Sequence, residues 1–152
     1  MSSLVKAPGR LVADGLLVDV DGTAHLVGSR CSDCDAVTFP AQTSCPRCAG
    51  ELVQPHVLAR HGTLWTYTIQ GFPPKTPYLD ADAPFRPFGV GYVNLGSEVL
   101  VESRLVANDL ASLRIGMAME LVLEPFHRDQ SGEDVVTFAF APAAGTADGG
   151  QK

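Results

Sequence analysis

Four cysteines arranged as two Cys-x-x-Cys pairs constrain this chain more than any other feature of its sequence. The pairs are Cys31 with Cys34 and Cys45 with Cys48, ten residues separate them, and the sequence has no further cysteine. Two residues between thiolates allow one tight turn to present both sulfur atoms to the same ion, and two facing turns complete a four-sulfur zinc site. Since such a site has no open coordination position, we predict one structural zinc ion held by all four cysteines.

Three other uses of paired cysteines are alternatives: two disulfides, a redox pair and an iron site. No apolar leader of the signal-peptide type precedes Leu4, so we expect a cytoplasmic protein whose cysteines stay reduced. A redox pair normally begins a helix in an α/β unit and does not need a twin. Rubredoxin-like iron remains an alternative to zinc, because four thiolates also suit iron.

The ten residues between the pairs predict a hairpin that runs out and straight back, with a cysteine turn at each end. Residues 36–39 resemble a short strand that Pro40 ends, and Gly50 is expected to adopt the left-handed conformation that closes the second turn. A ribbon of about 25 residues cannot bury enough apolar surface by itself, so metal binding on the order of 10 kcal/mol would replace the missing core.

The rest of the chain predicts a small β-barrel. Residues 16–20 and 24–27, separated by Asp21-Gly22, predict a hairpin or a helix-to-strand entry into the ribbon. Between the third and fourth barrel strands we expect a helical turn that Asn108 caps and Gly116 ends. Five strands with a helix in this place have the order of an OB-fold. The predicted barrel strands are residues 63–70, 88–95, 99–105, 117–126 and 135–141.

The predicted fold is therefore mainly β, with an N-terminal rubredoxin-like zinc ribbon followed by a five-stranded OB-fold barrel with one short helix. At 152 residues and 45% hydrophobic content, the chain can hold one ordinary core besides the ribbon, and no apolar run is long enough for a membrane span. The expected parts are a lead-in at 1–28, the ribbon at 29–52, the barrel at 53–142 and a flexible tail at 143–152.

The connection between the first two barrel strands, residues 71–87, is long and contains five prolines. Loops of this length are usually functional or disordered, and the prolines make disorder less attractive. Because the first loop of an OB-fold commonly borders the ligand surface, we predict that this loop contacts a partner or the mouth of its channel. The alternative is that its aromatic side chains fold back and cap the barrel. The predicted contact residues are Phe72, Lys75, Tyr78, Phe85 and Arg86.

The order of ribbon and barrel resembles the family of zinc-ribbon plus OB-fold proteins that accompany thiolase-type enzymes acting on acyl-CoA, long described as a domain of unknown function. Residues 31–48, 62–69, 87–93 and 114–117 carry the resemblance, which covers residues 16–142. It implies a non-catalytic accessory subunit that stabilises a thiolase-like or hydratase-like partner and helps to shape its acyl-CoA channel. It also implies that the partner supplies the catalytic residues and that two copies flank a dimeric core.

Two other functions compete with this interpretation. A nucleic-acid-binding module is one, but the net charge of −6 and an acidic outer face on the third barrel strand oppose phosphate binding. A stand-alone acyl-CoA carrier is the other, although a five-stranded barrel is normally filled by side chains. Catalysis by the chain itself is not expected, because His25, His56, His61 and His127 show no metal spacing and no paired base.

Overall fold

Ten strands and one short 3-10 helix form a four-stranded sheet followed by a closed barrel. The computed structural model describes residues 9–75 and 84–143, and it confirms the predicted mainly β fold. Tyr78 and the predicted tail beyond 143 lie outside the described residues. The elements are β1 (Arg10–Leu11), β2 (Leu17–Val20), β3 (Thr23–Cys31), β4 (Val37–Thr38), β5 (Val53–Val57), β6 (His61–Gln70), β7 (Phe88–Leu95), β8 (Val99–Leu105), the 3-10 helix (Leu110–Ser112), β9 (Ala118–Arg128) and β10 (Asp134–Pro142).

The lead-in is a hairpin of β2 and β3, and the alternative entry from a helix is wrong. Asp21 and Gly22 both have positive φ, 52° and 82°, which is the backbone of a two-residue hairpin turn that matches strand twist. Strand β3 continues beyond the hairpin to Cys31, where it pairs with β5. Strand β5 was not predicted from the sequence, and its Pro55 is tolerated because β5 pairs only with β3 within the described residues.

The segment between the cysteine pairs is not the predicted hairpin. Strand β4 has two residues and pairs with Ser29 and Arg30 of β3, and no returning strand follows it before Cys45. A buried side chain replaces the missing strand pairing. The Ser29 hydroxyl accepts a hydrogen bond from the Gln42 N–H at 2.7 Å and donates one to the Gln42 carbonyl at 3.2 Å. The return is therefore held by one serine of β3.

The barrel closes in the order β6-β7-β8-β10-β9, with β9 pairing back to β6. Strands β8 and β10 are parallel and the other neighbours are antiparallel, which is the arrangement of an OB-fold. The predicted helical turn is a three-residue 3-10 helix. Its cap is Asp109 and not Asn108, because the Asp109 carboxylate accepts from the Ala111 N–H at 3.0 Å. The helix ends at Leu113, and Gly116, with φ of 91°, lies in the turn before β9.

One hydrophobic core joins the lead-in to the barrel. Leu26 of β3 and Leu58, which follows β5, are fully buried among barrel side chains such as Leu64 and Phe140. Gly91 of β7 lets the strands approach closely, since a Cβ there would lie 2.5 Å from the Thr66 carbonyl oxygen. No helix within residues 9–75 and 84–143 is long and apolar enough to cross a membrane.

Polar contacts tie the ribbon to the turn between β7 and β8. The Glu98 carboxylate binds Arg30 of β3 at 2.5 Å and His56 of β5 at 3.0 Å. Hydrogen bonding to His56, together with the charge of Arg30, lowers the pKa of Glu98 below its usual 4.5. One carboxylate of the barrel thus holds two strands of the ribbon sheet.

We expect Glu98→Gln to lower the free energy of unfolding at pH 7 by about 0.5 kcal/mol, because partly exposed charge pairs are screened by solvent. Since the folded pKa is the lower one, the wild-type advantage is present above pH 4.5 and disappears as the pH falls through the lowered pKa. Urea unfolding from pH 3 to 7 measures it, with Glu51→Gln as the exposed control. A Glu98→Gln deficit that persists at pH 3 would contradict this origin.

Candidate functional site

The two Cys-x-x-Cys segments form matching turns. The N–H of Asp35 donates to the Cys31 carbonyl at 2.9 Å, and the N–H of Ala49 donates to the Cys45 carbonyl at 2.8 Å. In both turns the N–H of the first cysteine donates to the carbonyl five residues later, at 2.9 and 2.8 Å. Asp35 and Ala49 each have φ of 63°, so the residue after each pair adopts the left-handed conformation. The two turns therefore present their sulfur atoms in the same way.

The role predicted for Gly50 is wrong, because Ala49 and not Gly50 has the positive φ. Gly50 is instead required for space. A Cβ at this position would lie 2.6 Å from the Asp33 carboxylate oxygen and 3.3 Å from the Cys48 sulfur. The glycine thus allows the second turn to pack closely against the first.

The four sulfur atoms converge on one point. All four lie within 4.8 Å of one another, and the Cys31–Cys48 and Cys34–Cys45 sulfur pairs are both 3.6 Å apart. A tetrahedral zinc ion with bonds of about 2.3 Å needs sulfur separations of roughly 3.8 Å, so the site fits such an ion. Within residues 9–75 and 84–143 this is the one group of three or more potential ligands that could hold a metal.

The acidities of the thiols show why this cluster needs a cation. Hydrogen bonding from the Cys48 backbone N–H lowers the pKa of Cys45 to about 7. The N–H of Gly50 stabilises the Cys48 thiolate, but hydrogen bonding with the sulfur atoms of Cys31 and Cys34 raises the pKa of Cys48 to about 12. Four crowded sulfurs therefore keep a proton unless a divalent cation replaces it.

The four histidines do not assemble into a site. His25 Nδ1 lies 3.0 Å from the Leu58 carbonyl, and His127 Nδ1 lies 3.0 Å from the Arg128 carbonyl. His56 contacts Glu98, while His61 lies 3.5 Å from Glu120. Each ring thus has its own local partner, and none lies with the cysteine cluster.

The predicted contact residues of the long loop lie partly on the surface. Phe72 is 69% exposed, and Lys75 and Arg86 are exposed as well. Phe85 is half-buried and packs against Phe88 with ring centroids 6.3 Å apart. Only Phe85 therefore folds back onto the barrel, as the capping alternative predicts. Tyr78 lies outside the described residues.

Sequence reasoning missed an aromatic pair on the outer barrel face. Trp65 lies at a β-bulge of β6 and is 55% exposed, and its ring meets that of Tyr92 edge-on at 6.3 Å. The Tyr92 hydroxyl donates to Glu102 at 3.3 Å. Alternation of Tyr92 with the buried Gly91 and Val93 was a signal that its ring points outward. The β-bulge that brings Trp65 beside Tyr92 has no corresponding signal in the sequence pattern.

Sequence reasoning also missed a cleft between the ribbon and the barrel, of about 460 Å³. Its walls combine side chains from the segment after β4 with side chains of β7, β8, β9 and β10. The guanidinium of Arg104 lies in this cleft, 4.4 Å above the Phe88 ring. These residues are far apart in sequence, so no local pattern could have grouped them.

Two domain families match the chain in the order that its structure shows. Residues 23–53 match the family described as the rubredoxin-like zinc ribbon domain of ChsH2, and residues 56–124 match the C-terminal OB-fold domain of ChsH2. The first match contains all four cysteines, and the second contains the outer aromatic pair. The resemblance proposed from the sequence is confirmed.

Relatives and a solved structure extend this similarity over most of the chain. The benzoylsuccinyl-CoA thiolase subunit BbsA of Thauera aromatica is 25% identical over 128 residues, which are 84% of this chain and 83% of the relative. A DUF35 domain-containing scaffold protein of Methanocaldococcus jannaschii is 26% identical over 117 residues, 76% of this chain and 78% of that protein. The structure of an Ltp2-ChsH2(DUF35) aldolase superposes with a TM-score of 0.60 at 24% identity, covering 79% of this chain and 86% of that one, and so shares its fold.

We expect Cys34→Ser to remove the metal and unfold the ribbon, because three thiolates cannot close the tetrahedral site. The loss should be on the order of several kcal/mol of ribbon stability, since metal binding contributes directly to folding. Elemental analysis measures metal per chain, and hydrogen exchange compares residues 29–52 with the barrel. Ser32→Ala, between two ligands, is the matched control and should keep both metal and protection. A Cys34→Ser protein with one metal per chain would contradict the four-sulfur site.

Proposed function

We propose that this chain, which belongs to the family of ChsH2-type proteins that join a rubredoxin-like zinc ribbon to an OB-fold domain, is a non-catalytic accessory subunit of a thiolase-like enzyme. The observation that carries the proposal is that both domains occur in the order of that family, while all four cysteines of the chain lie in one closed four-sulfur site. A closed site holds structure and leaves no position for substrate.

The names of two relatives support the assignment of a partner. One is a thiolase subunit and the other a scaffold protein, and each is similar over more than three quarters of its length. All four cysteines of this chain lie in the metal cluster, so none is left as the nucleophile that thiolase-type chemistry uses. In this proposal the partner supplies the nucleophile, the acid and the base.

The metal we propose is zinc, one ion per chain, held by Cys31, Cys34, Cys45 and Cys48. Zinc has no redox chemistry, and a site of four thiolates without an open position serves to fix the ribbon. Iron in the same site would give a strong visible absorption band from charge transfer between sulfur and iron. A colourless protein that contains one zinc per chain supports zinc, and a coloured one that contains iron overturns it.

We place the partner contact on exposed apolar side chains of β6 and of the long loop that follows it. Trp65 and Phe72 are 55% and 69% exposed, and Ile69 at the end of β6 is 40% exposed. Exposed aromatic residues are the side chains that most often dominate binding between proteins. Lys75 and Arg86 are exposed cations of the same loop as Phe72, and their positive charge suits the phosphates of an acyl-CoA at the mouth of a partner's channel.

The charges of the barrel argue against nucleic acid as the ligand. Trp65 and Tyr92 resemble the stacking residues of a single-strand binder, but Glu102 brings a carboxylate next to Tyr92 on this face. Arg104, the one arginine in β7 and β8, is paired with Glu124 at 2.9 Å. Binding to a phosphate backbone needs uncompensated positive charge. We therefore favour a protein partner.

Native mass spectrometry of the protein, isolated gently from its own host, tests the proposed function. The expected result is a complex with a larger subunit that has thiolase-type activity on acyl-CoA only while both chains are present. Recovery of the chain alone, or with a protein that is fully active without it, would overturn the proposal. Recovery with nucleic acid would revive that alternative.

We expect Phe72→Ser to weaken binding to this partner about tenfold or more, because truncation of a central aromatic contact typically costs over 1 kcal/mol. Ile115→Ser is the matched control, since Ile115 is 67% exposed but lies in the turn before β9. Its affinity should stay within about threefold of wild type. Surface plasmon resonance with immobilised partner and a concentration series of each variant measures the dissociation constants. Equal effects of the two substitutions on the dissociation constant would show that the loop is not part of the interface.

A further inference from the structure

The cleft between ribbon and barrel exists because two barrel strands separate. Strands β8 and β10 share one register pair, Phe140 with Leu105, and one nearby backbone hydrogen bond from Val106 to Phe140 of 2.9 Å. Away from this point β10 pairs with β1 instead, at Val135 and Val136, so β8 and β10 diverge, and the opening beside them holds about 460 Å³. This volume is within the usual range of about 300–1,000 Å³ for sites that bind small molecules.

The cleft lies at a junction between domains, and its walls include four phenylalanines. Phe39, which follows β4 in the ribbon, meets Phe138 of β10 edge-on with ring centroids 5.5 Å apart. The ribbon therefore supplies one wall, Leu16 of the lead-in contributes to the lining, and the barrel supplies the other walls. Ligand sites commonly lie between domains and combine apolar walls with a few oriented polar groups. The aromatic side chains that line the cleft are Phe39, Phe88, Phe126 and Phe138.

Arg104 is the oriented polar group of this cleft. Two contacts fix its guanidinium: Cζ lies 4.4 Å from the Phe88 ring centroid, and Nε lies 2.9 Å from Oε1 of Glu124. The Arg104 side chain is 39% exposed, and its two terminal nitrogens make no hydrogen bond within the described part of the chain, so they are accessible to solvent and to a ligand. Donors that are held in place but have no acceptor are prepared for a ligand oxygen.

The charges around Arg104 determine which kind of ligand oxygen can bind there. Glu124 already neutralises the guanidinium, and Glu102, whose carboxylate accepts from the Tyr92 hydroxyl, is also a residue of the cleft lining. An organic anion would bring a third carboxylate into this space and would be repelled by the other two. An uncharged carbonyl oxygen accepts from a guanidinium without that penalty.

We propose that this cleft binds uncharged organic carbonyl compounds with an aryl or bulky alkyl group, the apolar group lying among the phenylalanines and the carbonyl oxygen accepting from the terminal nitrogens of Arg104. Glu124 acts as a positioning residue that fixes the guanidinium. The binding belongs to the chain itself and does not depend on the proposed partner, so failure of either proposal leaves the other standing.

The test compares three matched probes by titration of the ¹⁵N-labelled full chain. The probes are 4-phenylbutan-2-one, the hydrocarbon butylbenzene and the anion 4-phenylbutanoate. We expect saturable shifts of amides around Arg104 and Phe138 with the ketone, and at least about tenfold weaker binding of the other two, the effect of one hydrogen bond to a charged donor. Scattered, non-saturating shifts, or tighter binding of the carboxylate, would overturn the proposal.

Three substitutions separate the role of Arg104 from general packing. Arg104→Met should reduce the preference for ketone over hydrocarbon from about tenfold to under threefold. Arg114→Met, an exposed arginine outside the cleft, should leave the preference unchanged. Val90→Phe fills the cleft while keeping Arg104, so it should abolish binding of all probes. If Arg104→Met does not fold, this variant still tests whether the probes bind in the cleft. A full ketone preference in Arg104→Met, or undiminished binding to Val90→Phe, would refute the site.

Discussion

Four convergent thiolates are the constraint on which the N-terminal half of this protein depends. Within residues 29–52 the buried side chains are Ser29, Cys31 and Cys45, so the ribbon has no apolar core of its own. Its two cysteine turns bring four sulfur atoms within 4.8 Å of one another, an arrangement that requires a cation to be stable. Metal binding therefore replaces hydrophobic burial as the force that folds this segment.

The ribbon in turn shapes the barrel surface. Strand β3 runs without interruption from the hairpin to Cys31, and its Leu26 belongs to the barrel core. The ribbon also places Phe39 against Phe138, forming one wall of the cleft. Arg60 strengthens the same junction by donating to the carbonyls of Ala24 and Leu121 at 2.9 and 3.0 Å. A metal site with no open coordination position can thus influence function, because the ribbon that it stabilises forms one wall of the cleft.

The distribution of polar groups fits a subunit that works through its surfaces. The histidines are used in separate local contacts, and the cysteines are used by the metal cluster. Exposed aromatics on β6, on β7 and in the long loop remain available, as do the donors of Arg104 in the cleft. Both sets suit recognition of another molecule better than bond making or bond breaking.

The sequence by itself determined the elements that local chemistry controls. Two Cys-x-x-Cys pairs were sufficient to indicate the four-sulfur site, and the strands β7 and β8 begin and end at the predicted residues. Period-two alternation and the turn at Gly96, with φ of 58°, carry that information within a few neighbouring residues. The resemblance to a known family followed from the order of these local signals.

Only the tertiary structure decided the features that depend on distant partners. Strand β5 exists because its backbone pairs with β3, and Ser29 holds Gln42 where a returning strand was predicted. Arg104 of β8 meets Glu124 of β9 because both strands are neighbours of β10. Phe39 reaches the gap between β8 and β10 from the ribbon. These contacts join residues at least 13 positions apart, so their energies depend on chain closure and have no counterpart in local sequence patterns.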